Sequence, residues 1–246
     1  MNELTAEFVG TGLLMLLGTS VNANNTLNKT YAQGAGWILI ALGWGLAVFV
    51  GVAVAAPYSG AHINPAVTIG LAMAGKFEWI RVPGFVFAQL GGAFTGSFLA
   101  WLLYSAHYNE TEDATGILGT FATGPAIPHK IRNLYSEMLG TFVLVFVVLY
   151  MSSATPTIYS PNIGTAKIGL GSIGAIPVAL LVVVIGMSLG GTTGYAINPA
   201  RDLGPRIVHA LVPIKHKGKS NWSYAWVPVI GPVLGGIIAA IAFNII

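Results

Sequence analysis

Six long apolar segments constrain the fold of this chain more than any other feature. A hydrocarbon core about 30 Å thick is crossed by about 20 helical residues. Backbone polar groups in lipid must be paired within their own segment, so each apolar segment is predicted to be a helix. Only 8% of the residues are charged, against about a quarter in soluble domains. The predicted spans are Leu4–Val21, Trp37–Ala56, Pro83–Tyr104, Leu134–Met151, Ile176–Gly191 and Ala225–Phe243.

Two shorter apolar segments begin with the same tripeptide. Asn64-Pro65-Ala66 opens the segment Asn64–Met73, and Asn198-Pro199-Ala200 opens Asn198–Leu211. Asn is a favoured N-cap and Pro fits the first helical position, so each tripeptide predicts a helix start. At about 1.5 Å per residue, these helices reach only about halfway across a bilayer. We therefore expect two re-entrant half-helices that start inside the membrane.

The two halves of the chain repeat each other. Glu7-Phe8-Val9-Gly10-Thr11 recurs as Glu137-Met138-Leu139-Gly140-Thr141 in the first span of the second half. Because each half has three spans, the second copy enters the membrane in the opposite orientation, which gives an inverted repeat. The chain is predicted to be a single transmembrane domain over residues 1–246. Its repeats cover about 1–104 and 133–246, joined by a loop at 105–132.

Several functional classes find no support in the sequence. No Ser/His/Asp set, metal-ligand cluster or phosphate-binding loop stands in a convincing context, so no catalytic residue, metal site or cofactor is predicted and the chain is not expected to be an enzyme. The chain has no cysteine, which excludes disulfides and thiol chemistry. The formal net charge is +3, and the lysines and arginines form no basic stripe with interleaved aromatic residues. Nucleic acid is therefore not an expected partner.

The sequence resembles the major intrinsic proteins, or aquaporins, over nearly its entire length. The resemblance rests on the Glu-x-x-Gly-Thr start of both halves and on two longer strings, Ser59–Thr68 (SGAHINPAVT) and Gly194–Asp202 (GYAINPARD). Asp202 directly after Arg201 is similar to the glycerol-facilitator, or aquaglyceroporin, branch. The resemblance implies an all-α aquaporin fold with six transmembrane helices and two half-helices. It also implies a homotetramer with one pore per subunit, in the cell membrane and with cytoplasmic termini.

The paired tripeptides give the expected pore its chemistry. Asn64 and Asn198 are expected to cap their helices and to direct amide donors into the lumen. The two facing helix N-termini each carry about half a positive charge, which opposes cations and protons. Arg201 needs acceptors or water inside the membrane, so a cavity-lining position is expected. The alternatives are that both Asn residues are ordinary loop caps and that Arg201 pairs with Asp202 or with loop carbonyls.

The family resemblance places a selectivity filter at Trp44, Gly186, Tyr195 and Arg201. Trp44 and Tyr195 would form an apolar corner for the carbon backbone of a solute, and Gly186 would make room opposite Trp44. Tyr195 stands where glycerol facilitators typically have Phe, which leaves the preferred solute open. Trp and Tyr are also common interfacial anchors, which is the alternative for either residue alone.

Three further residues are expected to support the pore. Glu7 and Glu137 would accept hydrogen bonds from backbone N–H groups of the two re-entrant loops, since intramembrane carboxylates need partners. Glu7 could instead be an exposed residue near the terminus. His62 is either a polar group on the cytoplasmic approach to the pore or a structural residue.

The function predicted on these grounds is a passive channel for glycerol and other small uncharged solutes, with some water, that excludes protons and ions. A channel of the same fold that prefers water, urea or protonated lactic acid is the alternative. An ion-coupled secondary transporter, with Glu7 and Glu137 as coupling groups, is a different class with the same kind of repeat. The loop charges by themselves favour the opposite orientation to the one that the family implies.

Overall fold

The computed structural model of the chain describes residues 1–151, 157–160, 164–167 and 170–246. These residues form α-helices, one pair of short strands, and 3₁₀ turns at Trp79–Arg81 and Gly171–Ala175. The helices are α1 (Glu3–Thr26), α2 (Trp37–Ser59), α3 (Pro65–Met73), α4 (Val82–Glu110), α5 (Ala114–Phe121), α6 (Lys130–Tyr150), α7 (Ile176–Leu189), α8 (Pro199–Leu211) and α9 (Val227–Ile245).

Six helices of the described part are long and apolar enough to cross a membrane. They are α1, α2, α4, α6, α7 and α9, with the 3₁₀ turns continuing directly into α4 and α7. The predicted number of spans is therefore confirmed, and the chain is an integral multi-pass membrane protein. The largest difference in bounds is at α4, which runs six residues beyond the predicted end at Tyr104. Its last turns carry the buried Tyr108 together with polar residues, which a hydropathy window reads as loop.

The half-helices α3 and α8 begin directly after their capping asparagines. The Oδ1 of Asn64 accepts a hydrogen bond from the backbone N–H of Ala66, and the Oδ1 of Asn198 accepts from that of Ala200. From the centre of the molecule the two helices run to opposite faces. The Met73 carbonyl at the end of α3 meets Asn244 near the end of α9. On the far face, the loop after α8 contacts Asn109 near the end of α4.

The long helices pair in the same way in both halves of the chain. α1 packs against α4, and α6 packs against α9. Glycines allow these backbones to approach closely: a Cβ at Gly96 would lie 2.1 Å from the Gly12 carbonyl oxygen, and one at Gly235 would lie 2.2 Å from that of Met138. Small residues at such crossings replace side-chain packing by direct backbone contact.

Two segments between the predicted spans contain structure that the sequence analysis did not predict. The loop predicted at 105–132 contains α5, which Asp113 caps by accepting a hydrogen bond from the N–H of Thr115. Between α6 and α7, strand β1 (Thr157–Ser160) pairs antiparallel with β2 (Gly164–Lys167). An element of eight residues or fewer is too short to register in a pattern read over about 20 residues.

The α1–α4 contact predicts a sharp difference between two glycine substitutions at one interface. Gly96→Ala should destabilise the protein by about 1–3 kcal/mol, because its Cβ would overlap a backbone carbonyl. Gly12→Ala is the matched control, since its Cβ would lie 3.5 Å from the Gly92 carbonyl oxygen, an ordinary contact. Thermal unfolding in detergent checks this. Equal midpoints for the two variants would contradict the described packing.

Candidate functional site

Two cavities follow one another through the molecule. The first, which we call the channel cavity, measures about 190 Å³ and lies between the loops that precede Asn64 and Asn198 and the walls of α2, α6 and α7. The second, the vestibule, measures about 440 Å³ and is bounded by α5 and the segments on either side of it. Tyr195 and Arg201 line both cavities. These two residues therefore stand where the vestibule meets the channel cavity.

The two Asn-Pro-Ala segments meet at the centre and bond to each other reciprocally. The Nδ2 of Asn64 donates to the Ile197 carbonyl at 2.8 Å, and the Nδ2 of Asn198 donates to the Ile63 carbonyl at 3.0 Å. A carboxamide nitrogen carries two hydrogens. One hydrogen of each amide therefore joins the two loops, and the second remains for the channel cavity, which both side chains line. Amide donors directed into the lumen were expected, whereas the bonds between the two loops were not predicted.

The loops before both asparagines hold strained backbone at matching positions. Ala61 and Ile63 in the first loop, and Tyr195 and Ile197 in the second, have positive φ angles between 38° and 54°. Non-glycine residues rarely adopt this region, and a β-branched residue there is an outlier that surrounding structure must hold in place. The alternation occurs at equivalent distances from Asn64 and Asn198, so both halves use the same local conformation.

These loops also present backbone acceptors to the channel cavity. The carbonyl oxygens of Ala61, His62, Tyr195 and Ala196 receive no hydrogen bond from any donor in the described part of the chain. All four residues line the channel cavity. Because polar backbone inside a membrane must be satisfied, these oxygens face a space that suits water or a hydroxylated solute.

Glu7 and Glu137 hold the two loops from behind. Both are fully buried. Glu7 accepts hydrogen bonds from the backbone N–H groups of His62 and Ile63 at 2.9 and 2.7 Å. Glu137 accepts from those of Ala196 and Ile197 at 3.0 and 2.9 Å. Each carboxylate thus spans two successive N–H groups, including that of the strained isoleucine, so neither side chain is exposed to solvent or to the pore.

His62 lines the channel cavity but is also tied into a polar network. Its Nδ1 lies 3.1 Å from the hydroxyl of Thr68, and that hydroxyl donates to the Asn64 carbonyl. The same hydroxyl accepts a hydrogen bond from Gln89, which also donates to Glu7. His62 therefore lines the channel cavity and takes part in a structural hydrogen-bond network at the same time.

Trp44 and Arg201 lie against each other beside the junction of the cavities. The guanidinium carbon of Arg201 is 3.9 Å from the centre of a Trp44 ring, a cation–π arrangement. Arg201 also donates to the Phe121 carbonyl, at 3.5 Å. Asp202 is not its partner, so the predicted alternative of an Arg201–Asp202 ion pair is wrong. The Phe121 carbonyl is the one acceptor bonded to this guanidinium in the described part of the chain, so most of its N–H donors remain for the cavities that it lines.

Asp202 instead anchors the half-helix α8 to the vestibule wall. It accepts hydrogen bonds from the N–H and hydroxyl of Thr123 and forms a fully buried ion pair with Arg206. Arg206 also donates to the carbonyls of Thr123, Ser220 and Asn221. Arg206 was not among the predicted site residues, although the Asp202–Arg206 spacing of four residues places both on one helix face.

Gly186 occupies a different place from the predicted one. It lines neither cavity. A Cβ at Gly186 would lie 2.7 to 3.0 Å from the outer ring atoms of Tyr195, so the missing side chain makes room for Tyr195 and not for a solute opposite Trp44. The indole N–H of Trp37 donates to the Gly186 carbonyl at 2.9 Å, and the Trp37 ring packs edge-on against Tyr195.

Trp37 is a second vestibule residue that the sequence analysis did not single out. It lines the vestibule together with Tyr195 and Arg201. A spacing of seven residues places Trp37 and Trp44 on the same face of α2. That spacing was readable from the sequence, but the aromatic contact depends on where the loop that carries Tyr195 lies against α2.

The walls of the passage differ sharply in polarity. One side of the channel cavity is formed by the two loops, Asn64 and Asn198, and the facing side is formed by apolar side chains such as Val48, Val52, Leu144 and Val182. Among the described residues, Arg201 carries the only permanently charged side chain on either cavity wall. This arrangement suits an uncharged solute with a polar edge and an apolar edge.

Comparisons with known proteins agree with this geometry. The family model described as "Major intrinsic protein" matches residues 1–243. A glycerol uptake facilitator protein of Streptococcus pneumoniae is 49% identical over 245 residues, which cover 100% of this chain and 99% of the relative. Glycerol uptake facilitator protein 3 of Lactiplantibacillus plantarum is 50% identical over 99% of this chain and 96% of the relative.

A solved structure shows the same fold. The X-ray structure of the aquaglyceroporin from Plasmodium falciparum superposes with a TM-score of 0.79 at 31% sequence identity, covering 98% of this chain and 94% of that one. The predicted all-α fold and the predicted family are both confirmed. The chain belongs to the major intrinsic protein family.

Proposed function

We propose that this protein is a passive channel that conducts glycerol and other small uncharged solutes, with some water, and excludes protons and ions. The observation that carries the proposal is the passage from the vestibule, past Tyr195 and Arg201, into a channel cavity with one polar and one apolar wall. The relatives named as glycerol uptake facilitators support glycerol as the solute.

The proposed filter consists of Trp44, Tyr195 and Arg201, with Gly186 giving Tyr195 its space. A polyol has hydroxyl groups along one edge and carbon atoms along the other. Its hydroxyls can bond the guanidinium of Arg201 and then the loop carbonyls, while its carbons lie against the aromatic rings. Water is small and needs hydrogen bonds on all sides, so an apolar wall takes partners away from it.

Exclusion of ions follows from the two half-helices. α3 and α8 point their N-termini at the centre of the passage, where Asn64 and Asn198 stand. Each N-terminus carries about half a positive charge, so the centre repels cations and protons, and Arg201 adds a full charge beside the vestibule. An anion would still have to lose its hydration shell in a narrow, largely apolar cavity.

The proposal extends to architecture and placement. A single channel domain over residues 1–246 is built from inverted repeats at about 1–104 and 133–246, and four chains form a homotetramer with one pore each. The protein lies in the cell membrane with both termini in the cytoplasm, so the vestibule opens outside. The shared packing of α1 with α4 and of α6 with α9 supports the repeat.

Stopped-flow light scattering on proteoliposomes tests the function directly. Glycerol influx should greatly exceed that of empty liposomes, rise linearly with the gradient and not respond to an imposed proton or sodium gradient. A water response without a glycerol response would make this a water channel. Saturation together with dependence on an ion gradient would instead identify a coupled transporter.

The proposed filter predicts that smaller side chains relax selectivity. Trp44→Ala and Tyr195→Ala should each lower the glycerol-to-water permeability ratio by about tenfold, the lower end of what a shaped pocket discriminates. Trp79→Ala is the matched control, because Trp79 is 54% exposed and lines neither cavity. If all three variants keep the ratio of the unaltered protein, the filter lies elsewhere.

The carboxylates behind the loops separate a channel from a coupled transporter. Glu137→Gln replaces one acceptor oxygen by a donor amide that faces backbone N–H groups, so we expect a loss of about 1–3 kcal/mol in stability. Thermal unfolding in detergent measures this, with the exposed Glu112→Gln as control. Glycerol flux per folded channel should stay within about twofold, since stability and not coupling is affected. Loss of flux from fully stable protein would contradict a passive channel.

A further inference from the structure

The side chain of Asn22 links the proposed filter to the vestibule wall. Asn22 lies on α1 and is 6% exposed. Its Oδ1 accepts a hydrogen bond from the indole Nε1–H of Trp44 at 3.0 Å, and its Nδ2 donates to the Gly119 carbonyl at 3.3 Å. Asn22 also lines the vestibule, whereas Trp44 lines the channel cavity. One amide therefore joins the Trp44 indole to the helix α5.

The contact with Asn22 fixes how the Trp44 ring is presented. The ring lies directly on Gly18, where a Cβ would come within 2.4 Å of the indole. With its N–H bonded to Asn22, the indole turns its face to the guanidinium of Arg201. The only donor of the ring is thereby removed from the passage, which leaves a solute an apolar surface with no hydrogen bond to offer.

The helix α5 reaches both sides of the filter. The Gly119 carbonyl bonds to Asn22, which holds Trp44, and the Phe121 carbonyl two residues later bonds to Arg201 directly. Carbonyls near a helix C-terminus are free acceptors with partial negative charge, which suits both an amide N–H and a guanidinium. One short helix therefore contacts both Arg201 and the Asn22 side chain that bonds Trp44.

We propose that Asn22 is a positioning residue for selectivity: it keeps the Trp44 N–H out of the passage and so maintains the apolar face of the filter. The proposal rests on the filter role of Trp44 given above. When Asn22 cannot accept, the buried indole N–H has to find another acceptor. Trp44 lines the channel cavity, where a donor would serve water and weaken the preference for a polyol.

A double-mutant cycle on glycerol and water permeability tests the proposal. The variants are Asn22→Leu, which is similar in size and lacks the amide, Trp44→Phe, which keeps an aromatic face without the N–H, and the two combined. Asn22→Leu should lower the glycerol-to-water permeability ratio by about two- to tenfold, the range for one net hydrogen bond. In the Trp44→Phe background the same change should leave the ratio unaltered, because no N–H remains to be positioned.

Controls separate positioning from damage to the fold. Ser20→Ala removes a buried hydroxyl from the same part of α1, and that hydroxyl has no partner within the described residues, so the ratio should not change. Asn22→Ala supplies a second variant without added volume if Asn22→Leu does not insert into liposomes, and the same fall in ratio is expected.

Two results would overturn the proposal while the proposed filter itself stands. One is an unchanged ratio in both Asn22 variants while Trp44→Ala alters it, which would leave the filter intact and remove Asn22 from it. The other is an equal fall with and without the indole N–H, which would mean that Asn22 acts only through α5. If Trp44→Ala itself has no effect, the proposed filter fails first and this inference fails with it.

Discussion

The structure depends on how two non-helical loops can be kept inside a membrane. Lipid offers no hydrogen bonds, so irregular backbone at that depth survives only when protein groups or a wet cavity satisfy it. Here Glu7 accepts hydrogen bonds from two successive N–H groups of the first loop, and Glu137 does the same for the second. Asn64 and Asn198 each donate to a carbonyl of the opposite loop. The remaining carbonyls have no protein partner in the described part of the chain, and the cavity they face must supply one. The strained loops thus need a wet cavity to satisfy their free carbonyls, and these carbonyls in turn form the polar wall of the passage.

The same bonds divide the passage into unlike walls. Glu7 and Glu137 bind N–H groups on one edge of each loop. The loop carbonyl oxygens therefore remain on the opposite edge, toward the channel cavity. The opposite wall needs no such arrangement, because long helices satisfy their own backbone and can present valine and leucine. A solute is therefore guided by acceptors along one edge only. The two buried carboxyl side chains therefore determine which edge of each loop faces the passage, although neither of them lines it.

How far the sequence predicted this structure depends on the range of each interaction. The six spans and the starts of α3 and α8 were predicted, since hydropathy and an Asn-Pro cap are local signals. Helix α5 was missed because eight residues are too few for that signal. Gly186 was expected to make room for a solute, but it makes room for Tyr195. That contact arises only when the loop that carries Tyr195 packs on α7. Asn22 could not be predicted at all, since its contact with Trp44 exists only after α1 and α2 have packed.

Arg201 owes its availability to the same packing. A guanidinium buried in a membrane protein is ordinarily paired with a carboxylate, and the adjacent Asp202 would be the obvious one. Asp202 instead accepts hydrogen bonds from Arg206, four residues further along α8, and from Thr123 on the vestibule wall. Within the described residues no carboxylate pairs with Arg201, whose guanidinium faces the Trp44 ring and donates to the Phe121 carbonyl. Because Asp202 pairs with the second arginine, it leaves Arg201 without a carboxylate partner at the cavity wall, although neither Asp202 nor Arg206 lines either cavity.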